Sequence, residues 1–388
     1  MCECRATSSD TFDAGAIGSG PNRRSLLASG LAAMGMFGLA ACGSSTSKPA
    51  GPTTPNPVPD SAIELITLGT EAGPPPGAAR VGIASALSVR GKVYIVDCGR
   101  SAVTQFVEAG LKFTDIAGIF LTHLHADHLA DYNNFFMLGG WFLNPDAPGF
   151  RPIPVYGPGP AGGLPGRDGG GEVWTLGDNP TPGTVEMTNR LLDAFAYSYN
   201  IFARDSYLPD PRRIMNLHDI VIPDVGASFT NVSPVMKPFP IMSDDRVRVT
   251  ATLVEHDDVF PAFAYRFDLA DGGSVTFSGD TVKSGNLITL AQGTDLLVHE
   301  SIFEIDEHPT KPATYTPAMA GPPDYFLRSH TPAIQVGEVA KAADVKKLVV
   351  SHYGPGDLPD GQWIDRIAKG GYGGPISIAR DNQVHTIR

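Results

Sequence analysis

The stretch IAGIFLTHLHADH, residues 116–128, constrains this chain more than any other. It opens with a short apolar run that stops at polar residues, the pattern of a strand buried in a sheet. The loop leaving that strand carries His123, His125, Asp127 and His128, side chains that offer nitrogen or oxygen lone pairs. Imidazole and carboxylate are the donors that zinc and related divalent ions accept. A loop of solvated histidines is the competing reading, but with 10 histidines in 388 residues three so close together would be an unusual accident.

Three more residues stand in the same relation to apolar runs. His256 follows VRVTATLVE, Asp280 follows SVTFSG, and His352 follows KKLVVS. A sheet brings its strand ends to one edge, so residues far apart in sequence can meet there. Each also has a plainer reading. His256 could pair on the surface with Asp257 and Asp258, Asp280 in SGDT could be a turn residue or helix cap, and His352 could support the turn YGPG. Strand-like runs fall at 62–68, 93–96 and 116–121, then again at 295–300 and 346–352, with helical patterns at 281–294 and 331–345. This alternation predicts a layered α/β architecture. Between 159 and 245 the pattern gives way to glycine, proline and aromatic residues, which predicts an insertion forming a mobile rim.

Hydrophobic residues make up 42 % of the chain, ample for a core, and the motifs predict one large domain over 61–388. The net charge is −12. Removing residues 1–41 leaves it unchanged, because Arg5, Arg23 and Arg24 offset Glu3, Asp10 and Asp13. Such a surface is poorly suited to a polyanion, so a small-molecule substrate and no nucleic acid partner are expected. Residues 1–41 read as an export signal: the pair Arg23-Arg24 precedes an apolar segment, 26–41, that is short for a membrane span. The pattern resembles a twin-arginine signal, and LAAC at 39–42 resembles a lipoprotein box with Cys42 acylated. An exported, periplasmic or cell-surface lipoprotein anchored to a membrane at Cys42 is therefore expected, an ordinary hydrophobic N-terminal helix being the alternative. Residues 42–60 are rich in Ser, Thr, Pro and Gly and read as a flexible tether. Cys98 then stands alone in the folded body, where it reads as a packing residue at a strand end rather than a ligand. A homodimer stays open.

The motif THLHADH resembles the H-x-H-x-D-H signature of the metallo-β-lactamase superfamily. The similarity continues through LITLGT at 65–70, YIVDCG at 94–99 with Asp97, then His256, Asp280 and His352. VHESIF and SHT further resemble two motifs of the ribonuclease Z and arylsulfatase-like branch. The resemblance implies a four-layer αβ/βα sandwich and a metal-dependent hydrolase with two zinc ions, other divalent ions staying open. It implies that His123, His125 and His256 hold one ion, Asp127, His128 and His352 the other, and that Asp280 bridges them. Two such ions about 4 Å apart lower the pKa of a shared water, so the nucleophile would be a bridging hydroxide, and Asp127 counts as catalytic as well as ligating. Glu300 and His330 occupy positions that imply proton delivery to the leaving group, a structural His–carboxylate pair being the other reading.

A metal-activated hydroxide attacks many ester types, so the site gives the reaction class and not the substrate. A small, partly aromatic ester, an aryl sulfate or a phosphodiester-like compound, is the first expectation, and a lactonase or β-lactamase the second. Outside catalysis, a lipid-anchored binding protein with a vestigial site would be expected to lack ligands, and none is missing. Ribonuclease Z itself is not expected, since GPPPGAAR stands where that family carries a Lys-x-Arg-Asn loop. Phe195, Tyr197, Tyr199, Phe202 and Tyr207 predict a lid gripping an apolar part of the substrate, with Arg212 or Arg213 meeting an anionic group. An outer helix or a dimer interface is the alternative.

Overall fold

The apolar runs become strands, and what lies between them decides how the strands pair. The computed structural model describes residues 63–167, 170–303 and 325–387. In chain order the strands are β1 (Ile63–Gly69), β2 (Ala84–Val89), β3 (Lys92–Val96), β4 (Ile116–Phe120), β5 (Ile153–Pro158), β6 (Met215–Ile220) and β7 (Phe239–Ser243). They continue with β8 (Val247–Leu253), β9 (Phe263–Leu269), β10 (Ser274–Phe277), β11 (Leu296–Ile302), β12 (Leu348–Gly354), β13 (Ile376–Ile378) and β14 (Gln383–Thr386). They form two seven-stranded sheets, β14-β1-β2-β3-β4-β5-β6 and β13-β12-β11-β10-β9-β8-β7.

Each sheet is antiparallel in one half and parallel in the other. The antiparallel half arises from tight connections. Between β2 and β3 only Arg90 and Gly91 intervene, with φ of 48° and 73°, the left-handed pair whose twist suits a two-residue hairpin. The parallel half needs crossovers, which the helices supply: Ala102–Glu108 between β3 and β4, Gly285–Leu290 between β10 and β11, Ala333–Ala342 between β11 and β12, and Asp360–Ala368 between β12 and β13.

Strand alternation sorts the apolar residues into separate cores. Tyr94, Val96 and Phe120 of the first sheet meet Phe263, Tyr265 and Phe267 of the second in the central core, where Phe120 sits edge-on to Phe267 at 5.0 Å between ring centroids. On the opposite faces, Val93, Ile95 and Ile119 pack with Phe106 and Phe135, and Leu297, Leu348 and Val350 with Val336 and Trp363. Helix, sheet, sheet, helix: this is the four-layer αβ/βα sandwich expected, and Cys98 is a buried member of one outer core.

The segment 159–245 holds more regular structure than its composition suggests. It includes the helices Thr184–Ala194 and Ala196–Ser206, and its stretches MNLHDI and FPIMS form the two edge strands β6 and β7. Edge strands tolerate polar residues and proline, which is why His218, Asn216 and Pro240 hid them. The helix read at 281–294 begins only at Gly285, where Ser284 Oγ accepts the Leu287 amide at 3.2 Å; Asp280 lies upstream and caps nothing. The export signal at 1–41, Cys42 and the tether at 42–60 lie outside the described residues.

Candidate metal centre

The centre begins with a carboxylate. Asp97, just past β3 and in the left-handed conformation at φ 59°, accepts the Thr122 amide on Oδ1 and the Thr122 hydroxyl on Oδ2, both at 2.8 Å. The same Oδ2 lies 2.8 Å from His128 Nδ1, which leaves Nε2 as the atom turned toward the centre. Thr122 Oγ1 also lies 3.1 Å from His123 Nδ1. One buried carboxylate thus ties the end of β3 to the histidine loop leaving β4.

Two groups of donors converge there. The donor atoms of His123, His125 and His256 all lie within 4.8 Å of one another, as do those of Asp127, His128, Asp280 and His352. His125 Nδ1 faces His256 Nε2 at 3.2 Å, and His256 Nδ1 donates to the Ser329 carbonyl at 2.6 Å, which fixes Nε2 as the lone pair. Asp280 stands between the groups. Its Oδ2 is 3.9 Å from His123 Nε2, 3.8 Å from His256 Nε2 and 3.3 Å from His128 Nε2, while Oδ1 is 3.3 Å from His352 Nδ1. Asp127 Oδ2 lies 3.2 Å from His352 Nε2. Gly279 makes this placement feasible: its φ is 60°, and a Cβ there would stand 2.6 Å from the Phe263 carbonyl oxygen. His352, like Asp97, holds a positive φ, 56°, an uncommon conformation for such side chains and typical of functional sites.

The donor set fits divalent ions. His123 Nε2, His128 Nε2, Asp280 Oδ1 and His352 Nδ1 are buried without a hydrogen-bond partner among the described residues. So many unsatisfied polar atoms in one place are costly unless a cation takes their lone pairs. Electrostatics agrees. Burial holds the pKa of His123 well below its ordinary value, lowers that of His125, and brings His256 down to about 3, so these rings are neutral and able to ligate. Burial acts the same way on His128, but Asp280, Asp97 and Asp127 overcome it and hold that ring well above its ordinary value. Asp280 resists burial because His352, His128 and His123 surround it, keeping its carboxyl well below the usual range. The surplus of negative charge is what a cation would neutralise. His125 and Asp127 are only partly buried and mark the open side.

Glu300 and His330 adjoin the second group. Glu300 Oε1 accepts the amides of Thr281 at 3.2 Å and Thr331 at 2.9 Å and lies 3.4 Å from His330 Nδ1. His330 Nδ1 is 3.9 Å from Asp280 Oδ2. Burial opposes charge on His330, yet Glu300, Asp280 and Asp127 carry its pKa up to about 9.

All seven expected ligands thus converge, with Glu300 and His330 beside them. The surface reading of His256 fails, since the ring is buried. Cys98 belongs to neither donor group. His299 is buried with Nδ1 2.6 Å from the Glu300 carbonyl oxygen. The aromatic residues of the insertion divide: Tyr199 is buried and donates to Asn133 Oδ1 at 3.2 Å, whereas Tyr197 and Tyr207 are 82 % and 91 % exposed. Arg212 and Arg213 form ion pairs with Asp210 and Asp146, each 2.6 Å long. Sequence reasoning missed the residues that aim the ligands: Thr122, the Ser329 carbonyl, and the Thr281 and Thr331 amides. The signal was adjacency, as each stands next to a ligand or to His330.

Comparison with known proteins places this geometry. A family described as anti-Pycsar protein Apyc1 matches residues 84–139, from β2 through the histidine loop. The ribonuclease Z of Mycolicibacterium gilvum (strain PYR-GCK) is 28 % identical over 306 residues, 78 % of this chain and 88 % of the relative. That of Mycobacterium bovis (strain BCG / Pasteur 1173P2) is 26 % identical over 326 residues, 82 % of this chain and 96 % of the relative. Among solved structures, the short form of human tRNase Z superposes with a TM-score of 0.56 at 19 % identity, over 84 % of this chain and 100 % of the other. YhfI of Bacillus subtilis, a metallo-β-lactamase fold protein, gives 0.53 at 16 %, over 83 % and 99 %. The chain is thus similar to ribonucleases Z over about four fifths of its length and has the metallo-β-lactamase fold. It is a metal-dependent hydrolase, with His and Asp clusters of the kind that hold divalent ions. One expectation falls here. Acidity had spoken against nucleic acid, but the relatives are ribonucleases by name, which overturns that expectation. Net charge is a sum over the whole surface, whereas substrate meets the local field of the cleft.

Proposed function

We propose that this hydrolase cleaves phosphodiester bonds at a centre of two divalent ions, zinc being the ion its histidine-rich donor set favours. The observation carrying the reading is Asp280, whose Oδ2 stands within 4 Å of His123, His256 and His128 while Oδ1 faces His352. When bound, a pair of ions supplies an activated water and neutralises charge on the attacked phosphate. The residues of the chain do the rest. His123, His125 and His256 would hold one ion and Asp127, His128 and His352 the other, with Asp280 within reach of both groups. Asp97 and the Ser329 carbonyl fix the orientations of His128 and His256. His330, backed by Glu300, carries a proton to the departing oxygen. The names of the relatives support a phosphodiester over a lactone or an aryl sulfate.

The purified protein should contain about two divalent ions per chain, measured by elemental analysis. It should hydrolyse bis(p-nitrophenyl) phosphate and RNA with a 3′ extension faster than p-nitrophenyl sulfate, lactones or a cephalosporin. Activity confined to the sulfate or the lactones overturns the substrate class, and full activity after complete metal removal overturns the centre.

A further inference from the structure

Beside the second group of donors, polar side chains interrupt the central core. A cavity of about 30 Å³ lies between the sheets, its wall partly apolar through Val96, Phe277 and Val298 and partly polar through Ser85 from β2, Glu300 from β11 and Ser351 from β12. His128, Asp280 and His352 line it, whereas His123, His125, His256 and Asp127 do not, so it adjoins the second group of donors. Two of its polar atoms, Ser351 Oγ and Glu300 Oε2, are buried and have no hydrogen-bond partner among the described residues.

Buried apolar cavities stay dry, whereas polar ones with unsatisfied donors and acceptors hold water once they exceed roughly 10–15 Å³. This cavity passes both tests. Ser351 Oγ and Glu300 Oε2 supply two of the two to four partners that an ordered water needs. Glu300 makes the site consequential. Its Oε1 accepts two amides and faces His330, while Oε2 points away from those partners and has none. With Oε2 unheld, only the bonds to Oε1 set the plane of the carboxylate, and a turn about the Cγ–Cδ bond would shift Oε1 relative to His330.

We propose that one or two ordered waters occupy this cavity and hold Glu300 Oε2, so that Ser351 and Ser85 act through water as positioning residues for the Glu300–His330 pair. The consequence for turnover rests on the proton-delivery role given to that pair above; the water site itself does not. Ser351→Val is the main test, since it removes the hydroxyl while matching in volume the Ser351→Thr variant. Ser85→Val approaches it from the other sheet, should Ser351→Val fold poorly, and Ser351→Thr, which restores the hydroxyl, is the rescue.

Buried waters are counted by oxygen-17 magnetic relaxation dispersion on the metal-loaded protein and located in an atomic-resolution crystal structure. The wild type should show long-lived water bridging Ser351 and Glu300, and either valine variant should lose it while keeping its metal. Turnover of phosphodiesters with poor leaving groups should then fall about tenfold through kcat with little change in KM, nitrophenyl esters being spared, and Ser351→Thr should recover most of it. A dry cavity, or a metal ion in it, overturns the proposal. Water lost with kcat unchanged on both ester types overturns the positioning role while leaving the water site standing. If, instead, Glu300→Gln too leaves poor leaving groups unaffected, the failure lies in the proton-delivery reading and not in the water site.

Discussion

Asp97 illustrates how much of this site rests on groups that never face substrate. It accepts hydrogen bonds from Thr122 twice and holds His128 Nδ1 at 2.8 Å, so His128 owes its orientation to a residue at the end of another strand. Asp97→Asn keeps the shape but cannot accept on both oxygens. We expect affinity for one ion per chain to fall about 10–100-fold, the loss typical when the partner of a ligating histidine is changed. Competition with a chelator measures it; equal loss of both ions would mean that Asp97 supports the whole loop rather than His128. At this scale the sequence was readable where chemistry and position coincide. His123, His125, Asp127 and His128 follow one another behind an apolar run, so their convergence needs only a strand end. The bond from Asp97 to His128 crosses 31 positions and two strands, and no local pattern announces it. The same holds for the Ser329 carbonyl, whose role depends on its backbone and not on its side chain.

Elements were legible in proportion to their burial. β3, β4, β11 and β12 are buried on both faces and read as apolar runs, whereas β6 and β7 lie at sheet edges and carry the polar residues and proline that edges accept. Helix contacts were not legible. The helix Ala333–Ala342 meets Asp360–Ala368 at Gly337, where a Cβ would stand 1.9 Å from the Ile367 carbonyl oxygen. Backbone cannot yield there as a flexible side chain could. Gly337→Ala should therefore push the helices apart and cost about 1–3 kcal/mol, the usual range for overpacking, despite the better helix propensity of alanine. Urea unfolding measures it; a more stable variant would show that propensity outweighs the clash. Metal content should hold, because the two helices carry no ligand. The exposed Tyr197 and Tyr207 on and beyond the insertion helix Ala196–Ser206, by contrast, contribute little to the fold through their rings.

For the molecule as a whole, acid exposes a weakness in the first sheet. His385 lies on β14 beside β1, buried, with Nε2 3.4 Å from Thr67 Oγ1. Burial and the charge of Lys347 bring its pKa down to about 4 from an ordinary 6.5. The fold therefore keeps this ring neutral where the unfolded chain would protonate it. Its neutral form is fully compatible with the fold above pH 6.5, and stability is lost as pH falls from 6.5 toward 4. Other buried histidines titrate as well, so the measurement is a difference: the drop in Tm from pH 7 to pH 5 should be smaller in His385→Gln than in the wild type, and an equal drop would clear His385. Whole-molecule charge was the poorest guide of all. A sum of −12 says nothing about the local field inside a cleft.

The division of the ligands between the sheets carries one last consequence. His123, His125, Asp127 and His128 leave β4 of the first sheet, while His256, Asp280 and His352 come from the second. On the assignment above, each ion takes two ligands from the first half of the chain and one from the second, and both share Asp280. Neither half owns a complete site. On that assignment the emerging polypeptide gains a full ligand set only when β12 has formed and delivered His352, so a chain truncated upstream is expected to be inert as a hydrolase.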